Sequence, residues 1–157
     1  MPQQDRMQHH QWDSSLNALT VPLFLRLQWA QGASLGTLTP VLEKFAVSLV
    51  EFDVLATLRN SPPPHQMTPS RIQEEVVITS GGLTKVLLQL EARGMVTRRQ
   101  LQHDLRSKPV CLADSGQALI ETAMAEAVAN TAQWLHQRLS EAEIGQLSAL
   151  LGRLVDE

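Results

Sequence analysis

A short stretch of the sequence, TSGGLTKVLLQLEARG between Thr79 and Gly94, constrains the fold more than any other part of the chain. The hydroxyl of Thr79 or of Ser80 can accept a hydrogen bond from a free backbone N–H and so begin a helix. Three leucines recur at the spacing of one helical face: Leu83, Leu87 and Leu90. Gly94 can adopt the left-handed conformation that ends a helix. The stretch therefore predicts one amphipathic helix with a buried leucine face.

The side of this helix opposite the leucines is small, polar and cationic near its start. It carries Ser80, Thr84 and Lys85, while Gly81 and Gly82 leave the helix thin at that end. Such a helix can approach a phosphate backbone closely and present short side chains to base edges. An ordinary amphipathic helix packed on a protein core has the same pattern, so this stretch alone leaves both interpretations open.

The residues that follow this helix predict a β-hairpin. Met95–Val96 and Val110–Leu112 have the character of two short strands. The loop between them is charged and contains Asp104, Arg106 and Lys108. A helix followed by a hairpin with a cationic tip is the arrangement of a winged helix.

Three motifs in this order resemble those of a known family. The helix contains Ser80, Gly81, Gly82, Thr84 and Lys85, the LEARG motif covers Leu90–Gly94, and the loop contains a D-x-R-S-K motif at Asp104, Arg106, Ser107 and Lys108. The chain resembles the MarR family of bacterial transcriptional regulators over nearly its whole length, from about Leu16 to Asp156. The resemblance implies a mainly α fold with a small β wing, in which a winged helix-turn-helix is flanked by terminal dimerisation helices.

The resemblance also divides the chain into regions. Residues 1–13 are polar without a helical period and are expected to form a flexible N-terminal arm. Residues 47–113 are expected to form the winged helix-turn-helix DNA-binding domain, and residues 14–46 and 114–157 the helical dimerisation region. A homodimer would present two recognition helices about one DNA turn apart, which is the spacing that a palindromic operator requires.

Helix boundaries outside the central stretch follow from capping residues and prolines. One long helix is predicted from Leu16 to Phe45, with Pro40 expected to bend or break it. Further helix starts are predicted at Ser48 with Glu51, at Thr68 with Pro69, at Asp114 ahead of a helix from Ser115 to about Leu139, and at Ser140 with Glu143.

The net charge of −3 argues against strong non-specific binding to nucleic acid, but the charges are unevenly distributed. Between Arg71 and Lys108, seven Lys or Arg residues stand against four Asp or Glu residues. From Asp114 to Glu157, two stand against seven. A mildly acidic chain can therefore hold a basic face in its middle.

The matched motifs nominate the residues that bind duplex DNA: Thr79, Ser80, Gly81, Thr84, Lys85, Arg98, Arg106 and Lys108. Asp104 is expected to orient Arg106 through an ion pair. The chain departs from the family's pattern in the middle of the helix, where Val86, Leu88 and Gln89 replace the more charged residues of many relatives. This departure implies either weaker phosphate anchoring or apolar contact with thymine methyl groups.

MarR-like proteins commonly respond to small aromatic or phenolic effectors. By this resemblance Trp12, Arg26, Trp29 and Phe52 are candidates for lining an effector pocket, while packing in an ordinary core explains the same residues. Cys111 lies on the predicted wing strand, away from the N-terminal position that oxidant-sensing relatives use, and is expected to be a bystander thiol.

No cofactor or metal site is predicted, because the adjacent His9 and His10 lie in the polar arm without a Cys or carboxylate cluster. One cysteine, no signal-peptide pattern and no apolar run of eighteen residues favour a cytoplasmic protein without a membrane span. Catalysis is not predicted, since no nucleophile lies in a recognisable strained turn.

The sequence therefore favours a homodimeric MarR-like regulator, expected to act as a repressor, whose DNA affinity responds to a small molecule. The alternative is a winged-helix dimer that binds proteins or small molecules and has no DNA affinity. Salt-dependent binding to duplex DNA would discriminate between these two functions.

Overall fold

The structure, a computed structural model, describes residues 16–76, 78–98 and 108–156. The helices of this part are α1 (Thr20–Gly36), α2 (Thr39–Phe45), α3 (Leu49–Asn60), α4 (Pro69–Glu75), α5 (Ser80–Ala92), α6 (Asp114–His136) and α7 (Glu141–Val155), and the strands are β1 (Gln66–Met67), β2 (Val96–Arg98) and β3 (Val110–Leu112). The predicted N-terminal arm with His9, His10 and Trp12, and the wing residues Asp104 and Arg106, lie outside the described residues. The mainly α architecture with a small β wing is confirmed.

The described wing strands belong to a three-stranded antiparallel sheet with the order β1-β3-β2. Cys111 on β3 is paired with Gln66 on one side and with Thr97 on the other. The prediction of two strands was therefore incomplete, because β1 has only two residues and such a short strand shows no alternating pattern. The first wing strand also begins one residue later than predicted, at Val96.

The single helix predicted from Leu16 to Phe45 is divided into α1 and α2. Thr37 and Leu38 lie between them, and Pro40 occupies the first turn of α2. Backbone N–H groups in the first turn make no hydrogen bond within the helix, so a proline is tolerated there. The break expected from Pro40 is thus confirmed, and it falls just before the proline. Ala46 ends α2 in the left-handed conformation, with φ of 52°.

Side-chain caps begin four of the described helices as the sequence predicts. Each capping hydroxyl accepts a hydrogen bond from the backbone N–H three residues later: Ser48 from Glu51, Thr68 from Arg71, Thr79 from Gly82, and Ser140 from Glu143. The cap predicted at Asp114 is wrong. Ala113 occupies the cap position without a side-chain hydrogen bond, and Asp114 is the first helical residue. There its negative charge interacts favourably with the positive end of the helix dipole.

The hydrophobic core lies between α6 on one side and α2 to α5 with the sheet on the other. Its buried residues include Val41, Phe52, Val54, Leu55, Leu58, Ile72, Leu83, Leu87, Leu90, Val96, Val110, Ile120, Ala123 and Ala127. Gly116 lets α6 approach the sheet closely, because a Cβ atom there would lie 2.1 Å from the carbonyl oxygen of Met95. This contact fixes the start of α6 against the residue that precedes β2.

The terminal helices leave apolar side chains uncovered. On α1 these include Leu23, Phe24 and Leu35, and on α7 they include Leu147, Leu150 and Leu154. No residue of α7 is buried in the described chain. No helix among the described residues is long and apolar enough to cross a membrane.

Candidate DNA-binding interface and ligand cavity

Helices α4 and α5 form a helix-turn-helix whose second helix is anchored by its leucines. Leu83, Leu87 and Leu90 are all buried in the core. The start of α5 is fixed by Thr79, whose Oγ1 accepts a hydrogen bond of 3.2 Å from the backbone N–H of Gly82. Burial of one face and the cap at its end together hold the opposite face of α5 towards solvent.

The predicted DNA-binding residues of α5 and its cap are all exposed: Thr79, Ser80, Gly81, Thr84 and Lys85. The hydroxyl of Thr84 donates to the carbonyl oxygen of Ser80 at 3.0 Å. With its proton engaged inside the helix, Thr84 presents acceptor lone pairs and a methyl group to the outside. Lys85 has no ion-pair partner among the described residues, which leaves its charge available for a phosphate.

The two glycines at the start of α5 have different environments. A Cβ atom at Gly82 would lie 3.0 Å from Thr79 Oγ1 and 3.2 Å from a side-chain carbon of Ile78. A Cβ atom at Gly81 would meet no atom within 4 Å. Packing at the helix start therefore requires a glycine at position 82. No contact with the described residues requires a glycine at position 81, where the missing side chain leaves the outer surface of α5 without a protruding group.

The other cationic side chains of the central region differ in their exposure and in their ion pairs. Arg71 forms ion pairs with Glu74 and Glu75 on its own helix, α4. Arg98 on β2 is half-buried, and its Nε atom is enclosed without a hydrogen-bond partner in the described part of the wing. Lys108, just before β3, is exposed. Lys85 and Lys108 are thus better placed to meet a phosphate than Arg71 or Arg98.

Helices α3 and α6, together with Leu38 just before α2, line an apolar cavity of about 430 Å³ that is open to solvent. Its lining residues are Leu38, Phe52, Ala56, Met124, Ala127, Val128, Thr131, Ala132 and Leu135. Of the predicted pocket residues, Phe52 lines this cavity. Arg26 and Trp29 lie on α1 outside the lining, and Trp12 lies outside the described residues. The α6 residues were missed because a run rich in alanine is also what close helix packing requires.

One residue with a polar side chain is among those that line the cavity. Thr131 is its polar residue, and Thr131 Oγ1 lies 3.1 Å from Thr37 Oγ1. The proton of Thr37 is already donated to the carbonyl oxygen of Ser34 at 2.7 Å, so Thr131 must donate in the contact between the two hydroxyls. Thr131 Oγ1 therefore keeps acceptor lone pairs, but the accessible lining of the cavity is almost entirely apolar, and none of the described lining residues is charged.

Two carboxyl groups on the helices around the cavity have shifted pKa values. Burial raises the pKa of Asp53 on α3. On α6, a hydrogen bond from Gln117 and then one from Arg59, whose Nε lies 2.6 Å away, lower the pKa of Glu121. The ion pair of Arg59 and Glu121 joins α3 to α6 beside the cavity.

The cysteine and the His, Asp and Glu residues of the described part of the chain do not form a metal site. Cys111 is buried, and its thiol donates to the carbonyl oxygen of Pro64 at 3.3 Å. Within residues 16–76, 78–98 and 108–156, no group of three His, Cys, Asp or Glu residues is arranged to hold a metal ion.

The chain is similar in sequence to a known family of regulators. The model of the MarR family matches residues 47–108. The HTH-type transcriptional regulator PecS of Dickeya dadantii (strain 3937) is 39% identical over 117 residues, which cover 74% of this chain and 70% of PecS. The chain belongs to the MarR family. It is therefore a winged helix-turn-helix transcriptional regulator of a non-enzymatic class, as the sequence predicts.

Solved structures of MarR-family regulators share this fold. A mutant MarR from E.coli, complexed with operator DNA, has a TM-score of 0.74 and 24% identity, over 87% of this chain and 95% of that protein. BpsR of Bordetella bronchiseptica, in a structure concerned with regulation of its DNA binding by 6-hydroxynicotinic acid, has a TM-score of 0.73 and 21% identity, over 86% of this chain and 99% of BpsR. At these identities the likeness supports the MarR fold of the described helices and sheet.

Proposed function

We propose that this MarR-family regulator is a repressor that binds a palindromic duplex operator as a homodimer, with α5 as the recognition helix in the major groove. Residues 47–113 would form the DNA-binding domain, and residues 14–46 and 114–157 the dimerisation region. The complex of the similar E.coli MarR with operator DNA supports the DNA partner. Acting on chromosomal DNA, the protein would work in the cytoplasm.

The observation that carries this proposal is the exposed start of α5. Gly81 places no side chain on its surface, Thr84 presents an acceptor, and Lys85 presents a charge that no described residue pairs. Short side chains close to the backbone can reach base edges in the major groove, and a lysine beside them can neutralise a phosphate. From the wing, Lys108 and the sequence-predicted Arg106 would add phosphate or minor-groove contacts.

The uncovered apolar side chains of α1 and α7 support dimerisation. Leu147, Leu150 and Leu154 recur on one face of α7, where water would otherwise meet them. A two-fold axis through such a self-complementary surface pairs the same patch on both subunits. The two copies of α5 would then lie about 34–36 Å apart, which matches successive major grooves on one side of the duplex.

The cavity beside α6 supports a small, neutral aromatic effector. Its apolar walls, including Phe52, favour a ring, and the absence of a cation from its described lining residues disfavours a carboxylate. The acceptor lone pairs of Thr131 match the O–H group of a phenol. We infer that such a ligand acts through α6, whose first turn contacts the residue before the wing at Gly116 and Met95.

The DNA proposal is tested by selecting bound sequences from a pool of random duplexes with the full-length protein. The expected result is an enriched sequence with two inverted half-sites, bound in a salt-dependent manner. Failure to enrich any duplex, together with no salt-dependent binding, would contradict DNA binding and favour a winged-helix module that binds proteins or small molecules.

The effector proposal is tested by thermal unfolding with phenol and with benzoate at pH 7, where phenol is neutral and benzoate is charged. Phenol should raise the melting temperature of the parent protein more than benzoate does. Thr131→Val keeps the shape of the side chain and removes the acceptor, so phenol should stabilise that variant less. A larger stabilisation by benzoate, or an equal effect of phenol on both proteins, would overturn the assignment.

A further inference from the structure

The face of α5 that points away from the core consists of one row of residues. Gly81, Lys85, Leu88 and Ala92 follow one another at spacings of four, three and four, so they lie along a single line on the helix. All four are exposed, and the row lies opposite the buried leucines of α5. Whatever approaches the middle of α5 from outside therefore meets Leu88.

Leu88 is an exposed leucine in a part of the described chain where the other large apolar residues are buried or half-buried. Its residue surface is 62% exposed, whereas the neighbouring Val86 is half-buried. The other exposed large apolar residues of the described chain lie in the segment before α1 or on α1, α6 and α7: Leu16, Leu19, Leu23, Phe24, Leu35, Val128, Leu147, Leu150, Leu154 and Val155. Among described residues 37–113, Leu88 alone belongs to this set. Leu88 therefore lies outside the regions assigned to dimerisation, and dimerisation through those regions does not explain its exposure.

We propose that Leu88 is a specificity-determining residue that contacts the 5-methyl group of a thymine in the major groove. The inference rests on the proposed DNA-binding function of α5. Thymine is the base that presents a methyl group in the major groove, and apolar side chains recognise it by direct contact. Leu88 lies one turn beyond Thr84 and Lys85 on the helix, so their polar contacts and this apolar contact would fall on neighbouring bases.

The physical reason for this partner is the removal of two apolar surfaces from water. In the free protein the Leu88 side chain is hydrated, as is the thymine methyl in the free duplex. Burying one methyl group in such a contact corresponds to about a fourfold gain in affinity, and to about fifteenfold for two half-sites. Cytosine at the same position lacks the methyl and would be disfavoured.

The test replaces thymine by uracil, one symmetric pair of positions at a time, in an operator obtained by selection. This change removes only the methyl group and keeps the base pair. Binding of the full-length parent protein should weaken by about fifteenfold at one pair of positions. With Leu88→Ala the same replacement should have almost no effect, while Gln89→Ala, altered at the next exposed residue, should keep the full dependence.

Distinct outcomes separate this inference from its premise. If the parent protein binds no selected duplex, both the proposed function and the role of Leu88 fail. If it binds the operator but loses no affinity on any uracil replacement, or loses as much in Leu88→Ala as in the parent, the role of Leu88 alone fails. A change of oligomeric state in Leu88→Ala by light scattering would also overturn it, because Leu88 would then be covered by another subunit.

Discussion

The guanidinium of Arg93 and the carboxylate of Glu51 join the end of α5, the proposed recognition helix, to α3, with 3.0 Å between Nη1 and Oε2. The same Nη1 donates to the carbonyl oxygen of Ala46 at 2.7 Å, and Nη2 donates to that of Phe45 at 3.4 Å. Arg93 therefore holds the C-terminal end of α5 against the corner between α2 and α3. This contact fixes the direction in which the outer row of α5, proposed to meet DNA, points.

We expect Arg93→Ala to lower the free energy of unfolding by about 1–2 kcal/mol, because the variant leaves the largely buried Glu51 carboxylate without its partner. Urea denaturation measures this change. Arg71→Ala is the matched control, since the described ion pairs of Arg71 are exposed and lie within α4, and this variant should change stability by less than about 0.5 kcal/mol. Equal small changes in both variants would show that the Arg93 contacts do not stabilise the fold.

Arg93 also illustrates which features the sequence could not predict. In the sequence it counts simply as one of the basic residues of the central region, since its partners are more than forty positions away. Caps, leucine stripes and the end of α5 at Gly94 were predictable, because each depends on residues within one or two helical turns. Long-range partners depend on how the helices pack, which no local pattern encodes.

Two further differences have the same origin. The short strand β1 exists because Gln66 and Met67 pair with β3, more than forty residues later. The cavity around Thr131 arises where Leu38, α3 and α6 come together, and the sequence predicted Phe52 of its lining but not the α6 residues. Leu88 could be named from the sequence as part of an apolar helix centre, but only its exposure distinguishes it from the half-buried Val86.

Gly81→Ala should stabilise the protein and weaken its binding to DNA. The new methyl group meets no atom of the protein, so the stability gain should be about 0.5–1 kcal/mol, as expected for alanine in place of glycine in a helix. The same methyl group would separate α5 from the groove. Thermal unfolding and fluorescence anisotropy on the selected duplex measure the two effects.

Gly82→Ala is the control for this prediction, because its Cβ would be tight against Thr79 and Ile78. It should gain less stability than Gly81→Ala or lose some. If Gly81→Ala bound the operator as tightly as the parent protein, α5 would not approach DNA at Gly81.

The apolar face of α7 should be required for dimerisation. Leu150→Glu introduces a charge into that exposed apolar face and should produce a monomer. Light scattering at low micromolar concentration measures the mass, with Ala149→Glu on the other side of the same helix as a control for added charge. A folded parent protein with the 17.4 kDa mass of one chain would contradict dimerisation.

The ion pair between Arg59 and Glu121 should make stability depend on pH. The hydrogen bonds from Gln117 and Arg59 lower the folded-state pKa of Glu121. Its contribution is therefore fully present above the ordinary pKa of a glutamate, about 4.3, and is lost as pH falls through the lower folded-state pKa.

Accordingly, the parent protein should be more stable than Glu121→Gln at pH 7, and this difference should shrink as the solution is acidified towards pH 3. Urea denaturation across this range measures it, with Glu91→Gln on the exposed side of α5 as a control. A difference that stays constant with pH would show that the charge of Glu121 is not involved.

The most direct test of DNA recognition by α5 is the salt dependence of operator binding in Lys85→Ala, followed by fluorescence anisotropy. Each neutralised phosphate contributes roughly 0.9 to the slope of log K against log salt, so loss of one contact in each subunit should flatten the slope by about 1–2 units. Thr84→Ala should weaken binding to the operator but keep the slope. Lys44→Ala, which removes a lysine paired with Glu126 outside α5, should change neither quantity. An unchanged slope and affinity in Lys85→Ala would contradict the assignment of α5 as the recognition helix.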